Sequence, residues 1–250
     1  MPPFAADWAF FLDVDGTLLE HADHFEAVRV GPGVRRLLED LSAGAHGAVA
    51  LVSGRSAADL DRLFTPLCLP LAGQHGIERR SADGTLHRQS PPLDLLGRAA
   101  AEMVRLTAAH TALALENKGM TLALHYRRAP ELREVVETEM RRIAAGLGDP
   151  FELQAGKFVF EIKPSGKDKG SAIGEFLAEA PFAGRVPVFL GDDLTDEYGF
   201  AVVNRAGGHS VKVGNGPSGA RWRMPDATAV RTWLGEWVRS SAALGEGMAR

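Results

Sequence analysis

Two aspartates and a glycine in the segment Asp13-Val14-Asp15-Gly16-Thr17 are the residues of this chain best suited to chemistry. They follow an apolar run, Trp8–Leu12, that is typical of a buried β-strand. Side chains two residues apart at a strand end point the same way, and Gly16 permits a sharp turn after them. Such a pair can hold a hard cation such as Mg²⁺, while one carboxylate attacks phosphorus and the other transfers protons. For the segment taken alone, an inert turn after an edge strand is the alternative.

Three further segments place complementary side chains at a predicted strand end or helix start. Ser53 follows the apolar run 48–52 and offers a hydroxyl and a helix N-terminus to a phosphate oxygen. Lys169 offers a positive charge where a helix begins. The segment that follows residues 188–190 offers three metal ligands, Asp192, Asp193 and Asp196. Each segment alone is more often a plain turn or a helix cap. Together they form the set that phosphoryl transfer needs: a nucleophile, a cation and donors to the phosphoryl oxygens.

The elements that must position these residues alternate between strands and helices. Helix patterns at 32–44 and 56–64 separate three apolar strands, and the same rhythm resumes after residue 166. This order is typical of a doubly wound α/β fold with a parallel sheet. Strands are predicted at Trp8–Leu12, 48–52, 69–72, 186–190 and His209–Val213.

A different rhythm occupies the middle of the chain, from about residue 80. Helix patterns at 93–109 and 130–147 are each followed by two short strands joined by a turn, at 111–127 and 151–162. The sequence therefore predicts a parallel-sheet core, residues 1–84 and 164–250, interrupted by an α+β cap, residues 85–163, with two helices and an antiparallel sheet.

Composition and charge are those of an ordinary soluble globular protein: 45% of the 250 residues are hydrophobic, 24% are charged, and the net charge is −4. This balance argues against nucleic acid or an anionic membrane as a partner. Cys68, the only cysteine, is expected to be a small buried hydrophobe. No run approaches the ~20 apolar residues of a membrane span, and the N-terminus lacks the basic region of a signal peptide. We expect a cytoplasmic monomer whose C-terminal helix packs Trp233, Leu234, Trp237 and Val238 on the core.

The motifs resemble those of the haloacid dehalogenase superfamily of phosphotransferases, which match, in order, Asp13-Val14-Asp15-Gly16-Thr17, Ser53, Lys169 and Gly191-Asp192-Asp193-Leu194-Thr195-Asp196. Within it, the chain is similar to the trehalose-6-phosphate phosphatase family from about residue 11 to 213. The core motifs are specific to the superfamily, whereas the cap segments point to trehalose 6-phosphate. The segments that carry the closer resemblance are Leu51-Val52-Ser53-Gly54-Arg55, Gly73-Gln74-His75-Gly76, Glu116-Asn117-Lys118-Gly119, His125-Tyr126-Arg127, Gly156-Lys157-Phe158-Val159-Phe160-Glu161 and residues 191–197.

The resemblance implies a Mg²⁺-dependent hydrolase of trehalose biosynthesis that acts through an aspartyl-phosphate. Asp13 would be the nucleophile and Asp15 the acid and base. Asp13, the backbone carbonyl of Asp15 and Asp192 would hold Mg²⁺, while Ser53 and Lys169 would bind the phosphoryl oxygens. Outside the direct ligands, Asp196 is expected to position Lys169 or a water molecule, and Asp193 is a further candidate for the surroundings of the metal.

Charged residues of the cap are candidates for binding the sugar. Glu116 and Lys118 are predicted at one hairpin turn, and Lys157 and Glu161 beside the other. Such groups can hydrogen-bond several hydroxyls at once and discriminate between substrates, and Arg127 or Lys157 could instead reach the phosphate. By resemblance, Glu116, Lys118 and Glu161 would hold the sugar distal to the phosphate. The alternative is a set of charges on exposed turns that contributes little.

Three other functions stay open at this stage. The same chemistry could act on another sugar phosphate, such as sucrose 6-phosphate or a mannosyl-phosphoglycerate. A phosphomutase would share the core but would return an isomerised phosphosugar instead of free phosphate. A sugar-phosphate sensor that has lost turnover is the third, although Asp13, Asp15, Lys169 and Asp192 are all present.

Overall fold

The computed structural model describes residues 1–21 and 28–247. The chain forms two compact units, one comprising Met1–His87 with Asp168–Arg250, the other Arg88–Lys167. The sequence-based boundaries were at 84/85 and 163/164. Of the polar residues that the sequence has from His21 to His24, only His21 lies within the described part of the chain.

Strands in the described residues are, in chain order, β1 Trp8–Leu12, β2 Val49–Val52, β3 Leu71–Gly73, β4 Glu78–Arg80, β5 Leu86–Arg88, β6 Ala114–Asn117, β7 Leu122–His125, β8 Phe151–Gly156, β9 Val159–Pro164, β10 Val186–Gly191, β11 His209–Val213 and β12 Trp222–Met224. The helices are α1 Pro32–Gly44, α2 Ala57–Phe64, α3 Leu93–Ala109, α4 Arg133–Leu147, α5 Lys169–Leu177, α6 Asp196–Arg205 and α7 Ala227–Gly247. Short 3₁₀ turns occupy Gln74–Gly76 and Pro130–Leu132.

The large sheet has the order β12-β11-β10-β1-β2-β3-β4-β5. From β12 to β3 every neighbouring pair is parallel, and β4 then runs antiparallel to β3. All five residues of β1 are buried, as expected for a strand in a parallel sheet that is covered on both faces. The predicted doubly wound α/β fold is therefore confirmed, with β1 between β10 and β2.

Helix α7 packs on the core, as its amphipathic pattern predicts. Trp233, Leu234 and Trp237 are buried and Val238 is partly buried in the same hydrophobic cluster. The Trp237 ring meets Phe10 edge-on at 4.7 Å between centroids. One face of α7 thus covers the side chains of β1.

The four-stranded sheet of the second unit has the order β6-β7-β9-β8, with every neighbouring pair antiparallel. Its apolar face, which includes Leu124 and Phe160, packs against Met103 of α3 and Met140 of α4. Because side chains alternate along a strand, the opposite face carries polar residues. One cross-strand row on that face is Glu116, Ala123, Glu161 and Gln154. The two helices and the antiparallel sheet are those expected of the cap.

Several sequence-based expectations were wrong. Strands β4, β5 and β12 were not predicted, because three-residue strands with charged members show no clear alternation. Strand β8 continues to Gly156, so the turn falls on Lys157 and Phe158, and Glu161 lies inside β9 instead of beside the turn. Cys68, expected to be buried, is exposed, whereas its neighbour Leu69 is buried.

Among residues 1–21 and 28–247, no helix combines the length and the apolar character required to cross a bilayer.

Candidate active site

A buried lysine joins two carboxylates at the carboxyl end of β1. Asp13 directly follows β1, and its backbone N–H donates to Leu190 O of β10 at 3.0 Å. Lys169 Nζ donates to Asp13 Oδ1 at 2.8 Å and to Asp196 Oδ1 at 2.6 Å. The Asp13 and Lys169 residues are 4% and 3% exposed, and Asp196 is fully buried. Three segments that are far apart in the chain therefore meet in one desolvated ion cluster.

Local helix geometry fixes two members of this cluster. Lys169 is the first residue of α5, and the Asp168 side chain caps that helix by accepting from Ser171 N at 2.7 Å. Asp196 is the first residue of α6, and its Oδ2 accepts from Asp193 N at 2.9 Å. Both oxygens of Asp196 are thus engaged within the protein, which orients Lys169 toward Asp13.

Burial and charge perturb the protonation of the cluster. Burial raises the pKa of the Asp13 carboxyl well above its ordinary value, opposed by Lys169 and reinforced by Asp196 and Asp192. Burial also raises the pKa of Asp196, again opposed by Lys169. For Lys169, burial alone would lower the pKa, but Asp13 and Asp196 outweigh it and raise the pKa above its ordinary value. The lysine therefore stays charged, while the carboxylates need further positive charge to remain ionised together.

Asp192 completes a group of three acids. One carboxylate oxygen from each of Asp13, Asp192 and Asp196 lies within 4.8 Å of the others. Asp192 Oδ2 is 2.8 Å from His21 Nε2. Asp192 Oδ1 is buried and has no hydrogen-bond partner among the residues that the structure describes. Lys212 Nζ, at the end of β11, donates to the backbone carbonyl of Asp192. Asp192 therefore has one anchored and one unsatisfied carboxylate oxygen.

Asp15 is held by an arginine that the sequence interpretation did not assign. Arg55 Nε and Nη2 donate to Asp15 Oδ2 and Oδ1, each at 2.6 Å. This paired geometry is the strong form of an arginine–carboxylate contact. The Arg55 side chain is 8% exposed and the Asp15 side chain is 31% exposed, so the pair is sheltered on the arginine side.

Ser53 lies at the same edge of the sheet as Asp13. Leu51 of β2 pairs in register with Leu12 of β1, so the residues that follow both strands emerge together. The Ser53 hydroxyl accepts from Arg55 N at 3.1 Å. Its carbonyl accepts from His75 N at 3.0 Å, which ties the loop to the turn after β3. The carboxyl ends of parallel strands are where ligands bind in open α/β sheets.

In the cap unit, the structure groups three of the predicted sugar-binding residues. Lys118 Nζ donates to Glu161 Oε1 at 3.1 Å and lies 4.0 Å from Glu116 Oε2. The Thr121 hydroxyl donates to Glu161 Oε1 at 2.5 Å, and His125 Nε2 lies 2.9 Å from Glu116 Oε2. The side chains of Glu116, Lys118 and Glu161 are at most 14% exposed. They form a sheltered polar cluster, in which Lys118 lies in the turn between β6 and β7 and Glu116 near the end of β6, as expected, whereas Glu161 lies inside β9.

Arg127 and Lys157 occupy a different place in the cap. Lys157 lies in the turn between β8 and β9, and the Arg127 guanidinium lies 5.3 Å from the centroid of the Phe158 ring in the same turn. Both residues are exposed. The structure therefore separates the five predicted cap residues into a sheltered trio and an exposed basic pair.

Three contacts of the core were missed by the sequence interpretation: Arg55 to Asp15, His21 to Asp192 and Lys212 to the Asp192 carbonyl. Arg55 lies two residues after Ser53, within one of the segments that carry the family resemblance, so that segment could have identified it as a site residue. His21 and Lys212 reach the site only through tertiary folding, and no spacing in the sequence marks them.

Comparisons with known proteins agree with this geometry. The model of the family described as "Trehalose-phosphatase" matches residues 11–226. A trehalose-6-phosphate phosphatase from Escherichia coli (strain K12) is 46% identical over 233 residues, which cover 93% of this chain and 87% of the relative. A probable trehalose-phosphate phosphatase from Sinorhizobium fredii is 42% identical over 227 residues, 90% of this chain and 85% of the relative.

Solved structures share the fold. The C-terminal domain of a trehalose-6-phosphate phosphatase from C. albicans superposes with a TM-score of 0.81 at 22% identity, and the match covers 93% of this chain and 92% of that one. A trehalose-6-phosphate phosphatase related protein gives a TM-score of 0.80 at 24% identity, covering 94% and 99%. At identities below 25%, this likeness shows a shared fold.

Proposed function

Because the chain belongs to the trehalose-phosphatase family, we propose that it hydrolyses trehalose 6-phosphate to trehalose and phosphate through an aspartyl-phosphate. The observation that carries this proposal is the Asp13–Lys169 ion pair, buried at the end of β1 within the segment that matches the family model. A desolvated, oriented carboxylate at that place is suited to attack on phosphorus. Relatives at 46% and 42% identity, which are named for the same substrate, support trehalose 6-phosphate.

In the proposed first step, a carboxylate oxygen of Asp13 forms a bond to phosphorus as the bond from phosphorus to the sugar oxygen breaks. Lys169 holds Asp13 Oδ1 and so orients the carboxylate for in-line attack. Asp15 donates a proton to the departing sugar oxygen. Since Arg55 engages both Asp15 oxygens, Asp15 must turn away from Arg55 to make that transfer.

In the second step, water attacks the aspartyl-phosphate. Asp15, now ionised, accepts the proton from that water, phosphate leaves and Asp13 is regenerated. The proton that Asp15 gains here is the one it donates in the next first step, so the two steps balance. The paired contact with Arg55 that the structure has needs both carboxylate oxygens as acceptors, so it forms when Asp15 has given up that proton.

Ser53 and Lys169 are proposed to bind the phosphoryl oxygens. The Ser53 hydroxyl can donate to an oxygen while it accepts from Arg55 N. An ammonium has three donors, of which Asp13 and Asp196 use two, so the third is assigned to phosphate. Positive charge and donors at this position stabilise the charge that builds up on the transferring group.

The residues fit a divalent cation, which we propose to be Mg²⁺. Carboxylate oxygens are the ligands this ion prefers, and Asp192 Oδ1 is a buried oxygen without a partner in the described part of the chain. Asp13, Asp192 and the backbone carbonyl of Asp15 would hold the ion, whereas both Asp196 oxygens are already engaged. Asp193, whose Oδ1 accepts from Leu194 N, is assigned to the surroundings. When bound, the cation neutralises charge on the phosphoryl oxygens.

For the sugar, we propose that the sheltered trio of Glu116, Lys118 and Glu161 binds the ring distal to the phosphate, as the family resemblance implies. A polar cluster that is already hydrogen-bonded is preorganised and loses little entropy on binding. The exposed Arg127 and Lys157 are assigned to the phosphate end of the substrate, where a guanidinium and an ammonium attract anions. A monomeric state and a cytoplasmic location stay predictions from the sequence.

The test is phosphate release from trehalose 6-phosphate beside sucrose 6-phosphate, a mannosyl-phosphoglycerate and glucose 6-phosphate, each with Mg²⁺ and with EDTA. We expect the highest kcat/KM with trehalose 6-phosphate and loss of activity in EDTA. Higher kcat/KM with another substrate would keep the chemistry and reject the substrate. No phosphate release from any of them, together with trehalose 6-phosphate binding, would favour the sensor.

A further inference from the structure

His21 contacts the acid that the proposed metal site depends on. Its Nε2 lies 2.8 Å from Asp192 Oδ2. An ionised carboxylate can only accept hydrogen bonds, so the imidazole must donate from Nε2. The other oxygen of the same carboxylate, Oδ1, is the buried atom without a partner among the described residues. The imidazole thus uses one Asp192 oxygen and leaves the other for a ligand.

The absence of a side chain at Gly16 makes this contact possible. A Cβ added to Gly16 would lie 2.5 Å from His21 Nε2 and 2.5 Å from Asp192 Oδ2. Gly16 also has a φ of +88°, which other residues rarely adopt. The turn after the two aspartates therefore opens the space that the histidine and Asp192 share.

The loop that carries His21 is fixed to the core. Gly16 N donates to Leu19 O at 2.7 Å, and Leu19 N donates to Val14 O at 2.9 Å, which closes the turn. From α7, Arg231 donates to Leu18 O at 2.8 Å and pairs with Glu20 at 3.3 Å. These contacts hold the backbone from Val14 to Leu19, two residues before His21.

From these three observations we propose that His21 is a positioning residue for the cation site: it donates to Asp192 Oδ2 and thereby directs Oδ1 at the cation. The inference rests on the proposed function, since it needs a cation at Asp192. Partners of metal-binding carboxylates typically contribute ten- to a hundredfold to metal affinity. His21 is thus a partner of Asp192 that the spacing of the acidic residues in the sequence does not identify.

The experiment measures the dissociation constant for Mg²⁺ by calorimetry, with the full-length protein and no substrate. The variants are His21→Ala, His21→Gln, Asp192→Ala and, as a control, His46→Asn, because His46 is exposed and asparagine tolerates its φ of +52°. We expect His21→Ala to raise the constant about tenfold and His46→Asn to leave it unchanged. His21→Gln keeps an N–H donor and should recover part of the affinity.

The outcomes separate this inference from the proposed metal site. If Asp192→Ala abolishes binding while both His21 variants bind like the wild type, the positioning role is rejected and the metal site stands. If Asp192→Ala binds like the wild type, or the wild type does not bind, both are rejected. Thermal unfolding without metal checks that each variant folds. Should His21→Ala fail that check, His21→Leu decides: leucine fills part of the space but has no N–H donor, so affinity equal to the wild type with Asp192-dependent binding rejects the role.

Discussion

Asp13 shares a buried site with Asp192, Asp196 and the ammonium of Lys169. Replacement of Asp13 by asparagine keeps the size of the side chain but removes the nucleophilic oxygen charge. We therefore expect Asp13→Asn to lower kcat for trehalose 6-phosphate by roughly a thousandfold or more, as for loss of other nucleophiles. Phosphate release measures the effect.

The same variant should fold. Burial raises the pKa of Asp13, which means that folding costs free energy when this carboxyl is ionised. Removal of the ionisable group relieves that cost, so the thermal midpoint of Asp13→Asn should equal or exceed that of the wild type. Near-normal phosphate release by a folded Asp13→Asn protein would contradict the proposed mechanism.

Arg55 positions the carboxylate of Asp15 through two hydrogen bonds. Methionine at position 55 would keep an apolar stem but remove both hydrogen bonds to Asp15. We expect Arg55→Met to lower kcat about a hundredfold, the effect of a misplaced catalytic group, with a smaller change in KM. Steady-state kinetics gives both constants.

The matched control is Arg62→Met, because Arg62 pairs with Asp59 on the exposed side of α2. It should leave both constants unchanged. Arg55→Lys keeps the charge but not the two parallel bonds, so it should recover only part of kcat. Full kcat in Arg55→Met would show that Asp15 needs no such partner.

The site residues Asp13, Asp15, Ser53, Lys169 and the acids after β10 could be predicted from the sequence, because each stands at the end of a recognisable strand or at the start of a helix. The pairings among them could not be predicted in the same way. Arg55 with Asp15 and His21 with Asp192 depend on the direction in which loops leave the sheet. The direction of a loop depends on its turns and on contacts with distant residues, such as the hydrogen bond from Arg231 to Leu18 O. Hydrophobic periodicity in the sequence does not reveal such contacts.

At the scale of elements, helix α7 stabilises β1 by packing on it, although the two elements lie at opposite ends of the sequence. Trp237 is fully buried, meets Phe10 edge-on and donates from Nε1 to Ala5 O at 3.0 Å. Trp237→Ala would leave a large cavity and an unpaired carbonyl, so we expect a loss of about 3–5 kcal/mol of unfolding free energy. Urea denaturation followed by circular dichroism measures it.

Glu236→Ala, one residue earlier on the exposed face of α7, is the control and should change stability by less than about 0.5 kcal/mol. Equal effects of the two substitutions would mean that α7 contributes helix formation but not packing to the stability of the core.

Long elements could be predicted and the shortest could not. The bounds of β1, α1 and α3 match the sequence interpretation because each has a strong apolar pattern and clear terminal residues. Strand β12, Trp222-Arg223-Met224, is visible only through its pairing with β11. In the cap, the two strands joined by a turn within 111–127 were predicted, but the sequence pattern could not show that Glu161 of β9 lies opposite Ala123 of β7.

For the whole molecule, each of the two units has its own hydrophobic cluster. Met140 is fully buried within the cluster of the cap unit. We expect Met140→Ala to destabilise that unit by about 2–5 kcal/mol and to speed amide exchange in residues 88–167, while β1 and β10 keep their protection. Hydrogen exchange with mass spectrometry resolves the two regions.

Val203, a fully buried residue of α6 in the core unit, provides the reciprocal variant. Val203→Ala should speed exchange in the core segments more than in the cap. Equal acceleration across residues 1–250 in both variants would indicate a single cooperative unit and would contradict the division into two.

The placement of β1 between β2 and β10 determines when this protein can finish folding during its synthesis. Trp8 is synthesised long before its partner Val186, because the whole middle of the sequence lies between them. At 5–20 residues per second, the delay is on the order of ten to forty seconds. The cap, which is continuous in sequence, can form during that interval. Until Val186 is synthesised, the nascent chain therefore holds the apolar strand β1 without its neighbour β10, and an unpaired strand edge of this kind favours aggregation.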